Sequence, residues 1–253
     1  MMCGDLPDAG RNRQNPMAAS LLSKYLRETR RPIYSAALVF PFLAVYHLGT
    51  LLLHTTYING ADALIIRLLS LLSVNTMFAS ALVLMACFLA WQIGTRGKWT
   101  IDTPKLMLMF LESLAFALLL LLLFGWLLTH STMAGTRAEQ PLGRLASLAL
   151  YCGAGIYEEL VFRGFLLGGL LLLLRKAFHV KSAAGTLLAT LLAAVLFSLF
   201  HYIGSAGDPF TLASFLQRTI AGVYFSAVFV GRGFGVTAAS HAIYDILVGL
   251  VLR

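Results

Sequence analysis

A chain of 253 residues that is 59% hydrophobic and only 12% charged, with a mean hydropathy of +0.82, carries more apolar surface than a soluble domain of its size can bury. The formal net charge of +8 invites a nucleic-acid reading, but the basic residues flank apolar spans as topology signals do, so no nucleic-acid partner is expected. With both classes excluded, the prediction is all-α: a polytopic transmembrane helical bundle whose main partner is the lipid bilayer. Lipid cannot hydrogen-bond the backbone, and nothing in the chain alternates as a barrel strand would.

Residues 1–32 form a polar, basic N-terminal segment without the pattern of a cleaved signal peptide. Residues 1–16 are expected to be disordered. Residues 17–30 are expected to make a short interfacial helix with Leu21, Leu22, Tyr25 and Leu26 on one side. Apolar spans follow at 33–54, 76–94, 105–129, 143–176 (a long one), 182–201, 211–230 and 234–252, each near the length that crosses a hydrocarbon core. The stretch "ADALIIRLLSLLSV" (61–74) is short and carries Arg67, so it is expected to be interfacial or re-entrant. Were it a span, the count would be eight rather than seven. Residues 33–142 are the N-terminal transmembrane helices and 143–252 the part where polar chemistry concentrates.

Basic residues fix the expected orientation. With the N-terminus in the cytoplasm, that side collects Arg11, Arg13, Lys24, Arg27, Arg30, Arg31, Arg96, Lys98, Lys105, Arg175, Lys176, Lys181 and Arg232. The other side keeps only Arg67, Arg137, Arg144, Arg218 and Arg253. The three cysteines, Cys3, Cys87 and Cys152, show no metal-ligand spacing. Cys87 and Cys152 fall in apolar runs and read as small core residues.

An ionisable side chain at mid-membrane costs about 2.5–3.5 kcal/mol on insertion scales, so each one asks for a reason. The C-terminal half holds six: Glu158, Glu159, Arg163, His201, His241 and Asp245. In "EELVFR" (158–163), residues four apart share a helix face, so Glu159 is expected to pair with Arg163. Glu158 is turned about 100° away, and burial without a partner cation would suit it to act as a general base. In "FSLFH" (197–201), His201 sits at a span end with Phe197 one turn before it. In "HAIYD" (241–245), His241 and Asp245 are four apart and can satisfy each other. Taken singly, each pattern also fits a structural role. At about 1.5 Å per residue, Glu158 lies about 27 Å from Lys176 and His201 about 30 Å from Lys181. The two therefore reach similar depths, nearer the outer surface in this orientation. Asp245 is about 20 Å from Arg232, close enough to converge if helices tilt. One carboxylate and two imidazoles at shared depth make a water-activation site.

The three motifs, in this order on separate helices, resemble the CPBP family of intramembrane proteases, which includes CAAX prenyl endopeptidases and bacteriocin-processing or self-immunity proteins. Its hallmarks are EExxxR, FxxxH and a His followed four residues later by Asn or Asp. The resemblance covers about residues 143–252; the first 142 are similar only in spanning membrane. It implies that Glu158 is the base that activates water and that His201 helps hold that water. His241 and Asp245 would line the oxyanion pocket, with Glu159, Arg163 and Phe197 in support. An ionised Asp245 cannot donate to an oxyanion, so it either carries a proton or orients His241. The implied activity is hydrolysis of a peptide bond in a membrane-bound or lipidated protein or peptide, with no obligatory cofactor. A zinc site built from Glu158, His201 and His241 is the alternative within that reaction, for which the family has been called metalloproteases. A transporter or an inactive scaffold is the alternative outside it, although no two-fold repeat is apparent.

Overall fold

The molecule is dictated by apolar runs whose outer faces are leucine-rich and whose inner faces are small. In the computed structural model, residues 16–53, 59–74, 78–130, 143–177, 179, 183–204 and 207–251 are described. Of residues 1–16, expected to be disordered, only Pro16 is described and it begins the first helix; the others, and the placement of Arg11, Arg13, Arg137, Lys181 and Arg253, lie outside the described residues.

Helix α1 (Pro16–Thr29) precedes α2 (Pro32–Leu52), which begins on Pro32 at its first position and carries Pro41 within. The short α3 (Gly60–Ser70) starts on an Asn59 cap, followed by α4 (Ala79–Gly94) and the long α5 (Thr103–His130). The run expected to form one long helix at 143–176 is helical throughout but not uniform. It consists of α6 (Arg144–Glu159), a π-helical segment (Leu160–Leu167) and α7 (Gly168–Lys176). Helices α8 (Ala183–Phe200), α9 (Leu212–Arg232) and α10 (Phe234–Ile246) complete the bundle, with a further π segment at Leu247–Val251. Among the described residues no strand occurs.

Among the described residues, five helices are long and apolar enough to cross a membrane: Pro32–Leu52, Thr103–Trp126, Ala183–Phe200, Leu212–Arg232 and Phe234–Val251. The expected seven or eight spans exceed this number. Helix α4 is apolar but only 16 residues long. The 61–74 stretch forms the 11-residue α3, short as expected. Leu82, Leu122 and Leu187 are more than half exposed on outer faces, whereas Ala189, Ala193, Ala238, Ala239 and Ala242 are buried between helices. Small residues inside and leucines outside are the arrangement that lets helices approach closely in lipid.

Two glycines set the geometry of α10. Gly233 alone joins α9 to α10, at φ 87° and ψ 179°, a left-handed conformation that a side chain resists. Gly155 faces α10 so closely that a Cβ there would stand 2.6 Å from Ala242 Cβ and 2.7 Å from Ala242 Cα. The α6–α10 approach therefore requires glycine one turn before Glu158 and Glu159, beside the residue that follows His241.

Candidate active site

The end of α6, the end of α8 and the middle of α10 meet inside the bundle and bring together the polar residues singled out in the sequence. Glu159 is 0%, Arg163 1%, His241 5% and Glu158 8% exposed. The π segment begins directly after Glu159. Such segments recur at functional sites because they re-aim side chains without ending the helix.

Glu159 and Arg163 form the expected pair, with Arg163 Nη1 3.0 Å from Glu159 Oε1. Charge and proximity hold it rather than an aligned hydrogen bond, since neither Nη1 nor Glu159 Oε2 has a hydrogen-bond partner among the described residues. Arg163 Nη2 donates to the Gly222 carbonyl at 3.2 Å. Its guanidinium lies over the Phe197 ring, 4.5 Å from the centroid, and 5.7 Å from that of Phe225. Glu159 has a second task that the sequence did not disclose: its Oε1 accepts from His241 Nδ1 at 2.7 Å. The carboxylate that fixes the His241 ring is thus Glu159 on α6. Asp245 Oδ2 stands on the other side of the ring, 3.6 Å from Nε2.

His201 follows the last turn of α8. Its Nδ1 lies 2.9 Å from the Phe197 carbonyl, and a carbonyl can only accept, so Nδ1 carries the hydrogen and Nε2 of the neutral ring is an acceptor. This is the physical content of the FxxxH spacing: the backbone four residues earlier sets the tautomer, and the Phe197 ring packs edge-on at 5.0 Å. His201 Nε2 is 3.8 Å and His241 Nε2 3.9 Å from the same atom, Glu158 Oε2. These separations exceed a direct hydrogen bond and fall within the span one water can bridge.

Two further residues belong to the site without having been foreseen. Phe225 of α9 stacks on His241, with centroids 4.5 Å apart and planes at 19°; nothing marks it among the phenylalanines of an apolar helix. Asn59 donates from Nδ2 to Glu158 Oε1 at 2.9 Å. The sequence analysis did not single it out, 99 residues before Glu158.

Glu158, His201 and His241 are the donors a zinc ion would have here. Ligand atoms bonded tetrahedrally at about 2.0–2.1 Å stand about 3.3 Å apart, whereas Glu158 Oε2 is 3.8 and 3.9 Å from the two imidazole nitrogens. Among the described residues no three His, Cys, Asp or Glu side chains are placed to hold a metal. Glu158 Oε2 thus stands farther from both nitrogens than the ligands of a bound zinc stand from one another.

Residues 140–247 match the family model for type II CAAX prenyl endopeptidase Rce1-like proteins. The matched stretch contains all three motifs, and the family it matches indicates an intramembrane endopeptidase. No curated protein and no solved structure matches the chain.

Proposed function

We propose that this protein, with its Rce1-like domain, is an integral-membrane endopeptidase that hydrolyses a peptide bond in a membrane-associated or lipidated substrate, using a water activated by Glu158 and His201. The observation that carries this reading is the convergence of His201 Nε2 and His241 Nε2 on Glu158 Oε2, at 3.8 and 3.9 Å.

A water in that gap gives one hydrogen to Glu158 Oε2 and the other to His201 Nε2. Its oxygen lone pairs then face away from both acceptors, toward an incoming carbonyl carbon. As the oxygen attacks, its proton passes to Glu158 and the carbonyl π electrons move onto the carbonyl oxygen. His241, carrying hydrogens on both nitrogens and balanced by Glu159 and Asp245, donates Nε2–H to that oxyanion. Asp245 therefore acts on the ring, not on the substrate. When the tetrahedral intermediate collapses, the C–N bond breaks and Glu158 returns its proton to the leaving amine. Arg163 offsets the Glu159 charge and does not touch substrate.

The test uses purified protein in nanodiscs with two substrates, a farnesylated peptide ending in a CAAX sequence and an unlipidated single-span peptide. The wild type cleaves at least one of them, and Glu158→Gln lowers turnover by about two to four orders of magnitude while remaining folded. His201→Ala and His241→Ala are also severely impaired, and chelator-treated, metal-free enzyme retains its rate. Cleavage of neither substrate by the wild type, or full activity in the folded Glu158→Gln variant, overturns the reading. Loss of activity on chelation, restored by zinc, transfers it to the metal-dependent form.

A further inference from the structure

Asn59 lies outside the matched stretch, on the N-terminal half of the chain, yet it reaches the carboxylate that the proposed chemistry uses. Its own position is closely fixed. Oδ1 caps α3 by accepting from the N–H groups of Ala61 (2.8 Å) and Asp62 (3.4 Å). Its backbone N–H donates to Tyr46 Oη at 3.2 Å, and that hydroxyl donates to Asp62 Oδ2 at 2.7 Å. With Oδ1 committed to two N–H donors, the other end of the amide must be nitrogen. The contact at 2.9 Å to Glu158 Oε1 is therefore an N–H donated to a carboxylate, a charge-assisted bond aimed by a helix cap.

We propose that Asn59 is a positioning residue for Glu158, holding Oε1 so that Oε2 is the oxygen turned to His201 and His241. This rests on the reading of Glu158 as the base. The N-terminal helices then complete the active site: α2 supplies Tyr46, α3 is anchored through Asp62, and together they deliver one amide to α6. The short α3 acts as a bracket for Asn59 rather than as a span. Among the described residues, charged or titratable groups around Glu158 include His201 after α8, His241 and Asp245 of α10, and Glu159 and Arg163 beside it. Asp62 and Tyr46 stand behind the amide. Asn59 is a neutral donor to Glu158 from the start of α3.

Asn59→Asp separates this role from capping. Aspartate caps as well as asparagine and has nearly the same size, but it places a carboxylate where Glu158 now receives a donor. Asn59→Ser also keeps a capping oxygen and is too short to reach Glu158. Each variant is compared with the wild type and Glu158→Gln in nanodiscs, on whichever of the two peptides the wild type cleaves, with melting temperature, kcat, KM and the kcat–pH profile measured. The expected result for Asn59→Asp is a protein that still folds, with a melting temperature somewhat lowered at neutral pH, kcat lower by about tenfold or more, little change in KM, and an acid limb moved to higher pH. Wild-type kcat and pH profile in that variant, alongside an inactive Glu158→Gln, overturn the inference and leave the proposed function standing. If Asn59→Asp does not fold, Asn59→Ser decides: a tenfold loss of kcat supports the role and wild-type kcat overturns it. Activity in Glu158→Gln removes both together.

Discussion

Two charged clusters in this molecule use the same residue types to opposite ends. At the corner where α1 meets α5, Lys105 Nζ lies 2.9 Å from Glu28 and 2.6 Å from Asp102, with the side chains 29–42% exposed. In the bundle interior, Arg163, Glu159 and His241 sit at similar distances with almost no exposure. At the corner, water screens each charge and any partner can be replaced by solvent. In the interior nothing replaces a lost partner, so each charge exists on condition that its neighbours do. The comparison teaches that distance alone does not mark a functional charge. What marks it is the inability of solvent to take over.

The largest expected effect comes from removing the interior cation. Arg163→Met leaves Glu159 buried without its guanidinium and is expected to cost about 3–5 kcal/mol of stability, read as a lowered melting temperature or loss of folded protein on purification. Lys105→Met, the matching change at the corner, is expected to lower the melting temperature at neutral pH only slightly, by no more than the small decline expected there on the acid side. Equal losses in the two variants would erase the distinction between the clusters.

A smaller effect tests how the interior cluster is assembled. Gly155→Val drives a side chain into Ala242 at the α6–α10 crossing, at a cost of about 1–3 kcal/mol. Because the displaced helix carries His241, kcat should fall further than stability does. A variant with normal kcat would show that α10 can retreat without moving its histidine.

The smallest effect concerns pH at the corner. A hydrogen bond from Lys105 holds the Glu28 and Asp102 carboxyls below their ordinary values. Carboxyls depressed in the folded state stabilise it above their unfolded values, and that contribution disappears as pH falls through the folded ones. The melting temperature should therefore show a slight acid-side decline below about pH 4. Lys105→Met should abolish that decline, and its persistence in the variant would assign it to other groups.

The sequence disclosed the helical bundle because lipid permits little else for runs this apolar, and helix ends fell near Arg and Lys. It disclosed Glu158, Glu159, Arg163, His201, His241 and Asp245 because each is costly in an apolar segment. Helical spacing paired Glu159 with Arg163 but could not show that the same carboxylate also holds His241, a contact made across helices. The π segment after Glu159 changes no hydrophobic pattern strongly enough to be read. Asn59 and Phe225 stayed hidden for complementary reasons: one looks like an ordinary cap and the other like an ordinary core aromatic. Their importance lies in what a distant helix places against them.

The central claim is that water, not a protein side chain, attacks the substrate while Glu158 takes its proton. A single turnover in H2(18)O, followed by mass spectrometry of product and enzyme, tests it most directly. The account predicts one heavy oxygen in the new carboxyl terminus of the product and none in the Glu158 side chain. Label in the Glu158 carboxylate would mean that this residue had been acylated, and would contradict the account.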